Sequence, residues 1–259
     1  MPNKKVYIVL FVILIVFFAV MFLLFGVDNI QQDNYNATLI VGNNTTWTYK
    51  DRRWLYLRNN TSTQEYNWTK FHVFENNEDK GMYYLWHDDK WYVFDDNKNA
   101  VPMNGNLIAY QANYNMSILS FQEENVDDYT FVQRALQEHN LSTSSKFSSI
   151  YKVRIDYDGD SILEDFYIIS NAFALDFNPD VTFSIAFMVK DNMIYYLYQD
   201  VSSNAGLNAC KPFYQSFIDT NHDDIYEVVL SCGKYSASEQ VDMLFQFIEG
   251  EFKLLISNQ

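Results

Sequence analysis

At 259 residues and 30.6 kDa the chain is long enough to bury a core in one large domain or two small ones. A formal charge of -15 and a pI of about 4.5 exclude nucleic acid as a natural partner, because binding there begins with Lys and Arg neutralising phosphates, and they disfavour direct adhesion to anionic lipid headgroups. An aromatic content of 18% with only 8 Gly and 4 Pro excludes a disordered chain and predicts a mainly β protein.

Lys4 and Lys5 precede Val6 to Phe25, an uncharged run of about twenty residues that suffices to cross a hydrocarbon core as a helix. The run closes on Phe22-Leu23-Leu24-Phe25 without the small residues of a cleavage site, and no lipobox Cys follows. It therefore reads as a signal-anchor over 6–27 behind a cytoplasmic tail at 1–5. The two lysines hold that tail inside, which puts the remainder outside the cell membrane as the exported part of a single-pass protein. Residues 28–45, polar and rich in Asn and Gln, read as a tether. The sequons at Asn36, Asn44, Asn60, Asn67, Asn115 and Asn140 read as products of an Asn-rich, bacterial composition rather than as glycosylation sites.

Residues 46–145 form an aromatic β-rich region. Trp47-Thr48-Tyr49, a polar turn at Lys50 to Arg53, and Trp54 to Leu57 alternate as hairpin strands do. Tyr83 to Trp86, the turn His87 to Lys90, and Trp91 to Phe94 repeat that pattern. The second hairpin, with its polar tail Asp95 to Asn99, resembles the aromatic repeats of bacterial cell-wall-binding modules, whose rings form ligand sites. That resemblance offers Trp54, Trp86, Trp91 and Tyr92 as ligand-binding aromatics for a glycan, against the plainer reading of cross-strand core pairs. Asn104-Gly105 gives a turn before Asn106 to Tyr110, and Met116 to Phe121 reads as a strand. Asp127 and Asp128 precede an amphipathic helix over about 128–140, with Tyr129, Val132 and Leu136 on its buried side. The polar joint Ser142 to Ser145 marks the boundary of this region.

Residues 146–259 hold two copies of one pattern, over 146–200 and 210–258. Each runs strand, acidic loop, strand, strand, tight turn, strand, at a spacing of about sixty residues. The first loop is Asp156-Tyr157-Asp158-Gly159-Asp160-Ser161-Ile162-Leu163-Glu164, and the second runs from Asp219 to Glu227. Alternating carboxylates with a further acid four residues on are how a short loop wraps oxygens around one hard cation. The order resembles a blade of the FG-GAP and VCBS repeats, the integrin-alpha-like calcium-loop families. The resemblance implies calcium at Asp156, Asp158, Asp160 and Glu164 in one unit, and at Asp219, Asn221, Asp223 and Glu227 in the other. It also implies two blade-like antiparallel units packed as an incomplete propeller or a sandwich. Where that family places a turn Gly, this chain has Ser161 and Asp224. Neither loop ends in the bidentate Glu of a helix-loop-helix site, since Tyr167 and Leu230 stand there.

Cys210 and Cys232 lie symmetrically about Asn221, so pairing of the flanking strands brings the sulfurs together, and an extracytoplasmic location permits the disulfide. No zinc spacing among His72, His87, His139 and His222, no nucleophile elbow and no phosphate loop is present, so no catalytic residue is assigned. The composite expectation is a membrane-anchored binding or scaffolding protein of the cell envelope, with an unknown envelope protein or glycan as partner. The alternatives are a wall-binding or glycan-binding module and an envelope hydrolase or its inhibitor.

Overall fold

The computed structural model describes residues 36–42, 44–57, 63–112, 116–173, 180–202, 210–221, 223–233 and 240–258. The segment read as a signal-anchor and its tail lie outside the described residues. Among the described residues no helix is long and apolar enough to cross a membrane.

Eight strands make an antiparallel aromatic sheet: β1 (Ala37–Val41), β2 (Thr45–Lys50), β3 (Arg53–Tyr56), β4 (Thr69–Glu75), β5 (Glu78–His87), β6 (Trp91–Phe94), β7 (Ala100–Val101) and β8 (Leu107–Ala112). Their spatial order is β3-β2-β1-β8-β4-β5-β6-β7. Both hairpins read from the sequence are present. Tyr49 faces Trp54 across β2–β3, closed by Asp51 and Arg52 at φ 53° and 63°, and Trp86 faces Tyr92 across β5–β6. One expectation is corrected: β1 falls inside the stretch 28–45 read as a tether, yet all five of its residues are buried. Ala-Thr-Leu-Ile-Val shows no alternation because the strand lies mid-sheet between β2 and β8, with Leu39 and Val41 in one core and Ile40 in another.

The boundary at 142–145 is also corrected. Strands β9 (Ser117–Leu119) and β10 (Glu123–Glu124) and the helix α1 (Thr130–Glu138) belong with the repeats. Strand β10 edges the first repeat sheet, ordered β10-β11-β12-β13-β14, with β11 (Ser149–Ile155), β12 (Glu164–Ser170), β13 (Thr182–Lys190) and β14 (Met193–Ser202). Strand β9 edges the second, ordered β18-β17-β16-β15-β9, with β15 (Lys211–Asp219), β16 (Glu227–Gly233), β17 (Gln240–Ile248) and β18 (Glu251–Ser257). Each repeat is a four-stranded meander in the predicted order, and no sheet among the described residues closes into a propeller.

Three hydrophobic cores stack these pieces. Val132, Ala135 and Leu136 of α1 pack on Tyr167, Ile169, Phe183 and Phe187, one face of the first repeat sheet. The other face, with Phe166, Ile168 and Met188, packs on Phe217, Val228, Leu230 and Phe245 of the second. The second sheet then turns Val229 and Leu244 toward Leu39, Trp47, Phe74 and Ile108 of the aromatic sheet. Strands of both repeats are thus covered on both sides, which is why β12, β13 and β16 read as nearly unbroken apolar runs. The aromatic sheet is further tied on by a buried polar clip. Asp242 accepts hydrogen bonds from Thr45, Ser231 and Gln240, while the side-chain amide of Asn258 donates to Thr45 Oγ1 at 2.8 Å. Burial raises the Asp242 carboxyl above the ordinary range, opposed by those donors.

Candidate cation-binding loops

The two acidic loops close equivalent hairpins. Strand β11 pairs with β12 up to Ile155 opposite Glu164, and β15 pairs with β16 up to Ile218 opposite Glu227. Each loop is braced by its terminal glutamate. The N–H of Tyr157 donates to Glu164 Oε2 at 2.8 Å, and the N–H of Thr220, its counterpart, donates to Glu227 Oε2 at 2.8 Å. Likewise Ile162 N donates to Asp160 Oδ1 at 2.7 Å, as Ile225 N does to Asp223 Oδ1 at 2.9 Å. The absent turn glycines are replaced without a change of conformation: Ser161 and Asp224 both adopt left-handed backbone, at φ 68° and 61°. The loops lie side by side, with Tyr226 N donating to Tyr157 O at 3.2 Å.

No family model, curated protein or solved structure matches this chain.

In the first loop Asp156, Asp158 and Glu164 each bring a carboxylate oxygen within 4.8 Å of the others. The positive charge among them is Lys190, whose Nζ lies 2.6 Å from Asp158 Oδ2, 3.1 Å from Glu164 Oε1 and 3.4 Å from Asp160 Oδ2. Burial alone would lower the pKa of that ammonium, but hydrogen bonds and charge from Asp158 and Glu164 raise it. Burial raises Glu164, opposed by the Tyr157 N–H and Lys190. Nothing in the loop's own spacing points to Lys190, which stands on β13, one strand beyond the loop.

The second loop is built from the same backbone and lacks that charge. The β16–β17 register, which pairs Val228 with Phe245, carries on to set Gln246 opposite Glu227, where the first unit sets Lys190 opposite Glu164. Among the described residues no Lys or Arg bridges Asp223 or Glu227, and the carboxylates of this loop do not gather within 4.8 Å as those of the first do. Glu227 is wholly buried; its Oε2 accepts from Thr220 N and Oγ1, and its Oε1 has no partner. Burial pushes the Glu227 carboxyl up to about 8, against the Thr220 hydrogen bonds, with Asp223 and Asp219 adding to the rise. Asp156 Oδ1 and Asp158 Oδ1 of the first loop are likewise without a partner, and unpartnered buried carboxylate oxygens in acidic loops suit a hard divalent cation, which takes six to eight oxygens. Glu227, Asn221, Thr220 and Gln246 floor a cleft of ≈ 280 Å³ walled by Tyr49, Arg53 and Trp54 of the aromatic sheet.

The predicted disulfide is formed between Cys210 and Cys232, with Cα atoms 5.5 Å apart, and it staples the second hairpin at the end away from the loop. His222 lies outside the described residues. The aromatic candidates separate into three places. Trp91, 3% exposed, donates from Nε1 to Thr46 Oγ1 at 2.9 Å within the core, so it is a packing residue. Trp54 packs on Tyr49 at 5.3 Å beside the cleft. Trp86 shares a surface cluster with Phe94 and with Trp68, which sequence reading passed over, while Tyr92 donates to Asp89 on the rim. Trp68 is 38% exposed at φ 60°, with Lys98 Nζ 5.0 Å from its ring centre.

Proposed function

We propose that the chain is a membrane-anchored, extracytoplasmic binding and scaffolding protein whose repeat hairpins each require a cation at an acidic loop, calcium being the ion supplied from solution. The observation that carries this reading is the buried Glu227, whose Oε1 has no donor and which closes the acidic loop begun by Asp219, Asn221 and Asp223. A divalent ion there would neutralise the buried charge and tie β15 to β16 next to the aromatic sheet. When bound it supplies charge neutralisation and a fixed loop, and no catalysis. The resemblance to FG-GAP and VCBS repeats agrees with this role, as does the uncharged run 6–27 with a membrane location. The cleft between the second loop and Trp54 is the binding surface this reading selects, because cation, loop and wall meet there. The test is thermal melting of the full chain in detergent, with millimolar calcium against chelator. Calcium should raise the midpoint, by about 2.7 kcal/mol of stabilisation at a hundredfold excess over Kd. An unchanged midpoint would refute the cation requirement.

A second reading is favoured by one observation. Trp68 holds a left-handed backbone that bulky residues avoid, and it presents its ring to solvent beside Trp86, Phe94 and Lys98. Such a face suits sugar rings of a wall glycan. Pull-down on purified peptidoglycan with wild type and Trp68→Ala tests it, and equal retention would eliminate it.

A further inference from the structure

The two loops share backbone, turn conformation and glutamate brace, and they differ in the residue that faces the glutamate from the next strand. In the first unit Lys190 sends its ammonium to Asp158, Glu164 and Asp160 at 2.6, 3.1 and 3.4 Å. An ammonium donating to three carboxylates in this way occupies the space in which a loop-bound cation would coordinate them. In the second unit the register continues to put neutral Gln246 there, and Glu227, wholly buried, keeps an unpartnered Oε1; the first loop also has unpartnered buried oxygens, Asp156 Oδ1 and Asp158 Oδ1, so the difference between the loops is the ammonium itself. Among the described residues the carboxylates of Asp156, Asp158 and Glu164 gather within 4.8 Å around that ammonium.

We infer that Lys190 is the resident cation of the first loop, so that the chain binds one divalent ion, at the second loop, instead of two. The inference rests on the cation-loop reading above and divides it: one hairpin is closed by an internal charge and the other by a charge from solution. A protein so built keeps its first repeat folded in the absence of calcium and makes only the second repeat, with its adjoining cleft, responsive to the ion. Lys190 costs the first loop any metal response, because a divalent ion would have to displace a tethered ammonium that is covalently present at high effective concentration.

The deciding experiment is equilibrium dialysis of the full chain in detergent against calcium alone, counting bound ions per chain. Wild type should bind one. Glu227→Gln and Asp223→Asn should each abolish that binding, Glu164→Gln should retain it, and Lys190→Gln should raise the count to two. A wild-type count of two overturns the inference and leaves the cation-loop reading standing, as does a single ion lost in Glu164→Gln and kept in Glu227→Gln. A folded Lys190→Gln that still binds only one ion also overturns it. No calcium bound by either wild type or Lys190→Gln overturns the underlying reading itself. Should Lys190→Gln fail to fold, the wild-type count and the contrast between the two glutamate variants still decide.

Discussion

Glu227→Gln separates the cost of the buried carboxylate from its use. The folded chain holds the Glu227 proton up to about pH 8, against an ordinary 4.5, because burial outweighs the two Thr220 donors. At roughly 1.4 kcal/mol per tenfold, ionising this group in the native fold costs up to about 5 kcal/mol. The native chain binds the proton more tightly than the unfolded one, so this contribution is complete below about pH 4.5, erodes as the pH rises, and is gone above about pH 8. Gln mimics the protonated acid. In chelator at pH 5 the variant and wild type should therefore agree within about 1 kcal/mol, and at pH 9 the variant should be the more stable, by as much as about 5 kcal/mol. Millimolar calcium should reverse the order at pH 9, stabilising wild type only, since the metal takes the ionised carboxylate and releases its proton. Urea unfolding followed by tyrosine and tryptophan fluorescence reads both quantities, and the difference between the two proteins cancels other titrations such as Asp242. A variant less stable than wild type at pH 9 in chelator, or a difference that does not change with pH, would refute the assignment of a strained, cation-seeking carboxyl.

Replacing Cys210 and Cys232 by Ser together opens a loop of 22 residues' separation and should lower stability by roughly 3 kcal/mol on the chain-entropy model, read by urea midpoint under oxidising conditions. Asp242→Ala strands the Thr45, Ser231 and Gln240 donors between two sheets; with about 1–3 kcal/mol for each buried group left unsatisfied, hydrogen exchange should rise in β2 and β17 before it rises in β12. Leu136→Ala removes a wholly buried side chain from the face of α1 that covers Tyr167 and Phe187, and should cost about 2–5 kcal/mol with faster exchange in β13.

What the sequence made legible was local. Strand pairs followed from alternation around turns whose residues tolerate left-handed backbone, Asp191-Asn192 at φ 51° and 61° and Glu249-Gly250 at 55° and 86°. The disulfide followed from the symmetry of two cysteines about one loop, and α1 from its apolar spacing, except that Tyr129, read onto the buried side, precedes the helix and is exposed. Its end follows the same logic, with Asn140 at φ 57° and Leu141 N returning to Leu136 O at 2.8 Å. What stayed hidden was set by partners distant in sequence. Strand β1 has no period because it is enclosed on both faces, and short strands β9 and β10 are recruited across the chain to the edges of different sheets. Lys190 closes a turn in sequence and a carboxylate cage in space, and only the β12–β13 register joins the two facts.

The stacking gives the two loops different surroundings. In the first repeat Glu164 lies on the same side of β12 as Phe166 and Ile168, which pack on the second repeat; in the second, Glu227 lies on the side of Val229, which packs on the aromatic sheet. The repeats therefore stack front to back, each turning its glutamate side toward the next layer, as successive blades do. Such a stack has no symmetric way to end. Helix α1 covers the free back of the first repeat and the aromatic sheet covers the free front of the second, as capping units do in repeat proteins. Each loop consequently abuts a different neighbour. The first meets the second loop through Tyr157 and Tyr226, and carries the Lys190 ammonium among its own carboxylates. The second meets the β2–β3 hairpin with its Arg53 and Trp54, with a cleft between them. On the reading proposed above, the tethered charge sits between the loops and the exchangeable ion beside the cleft, where a partner would dock.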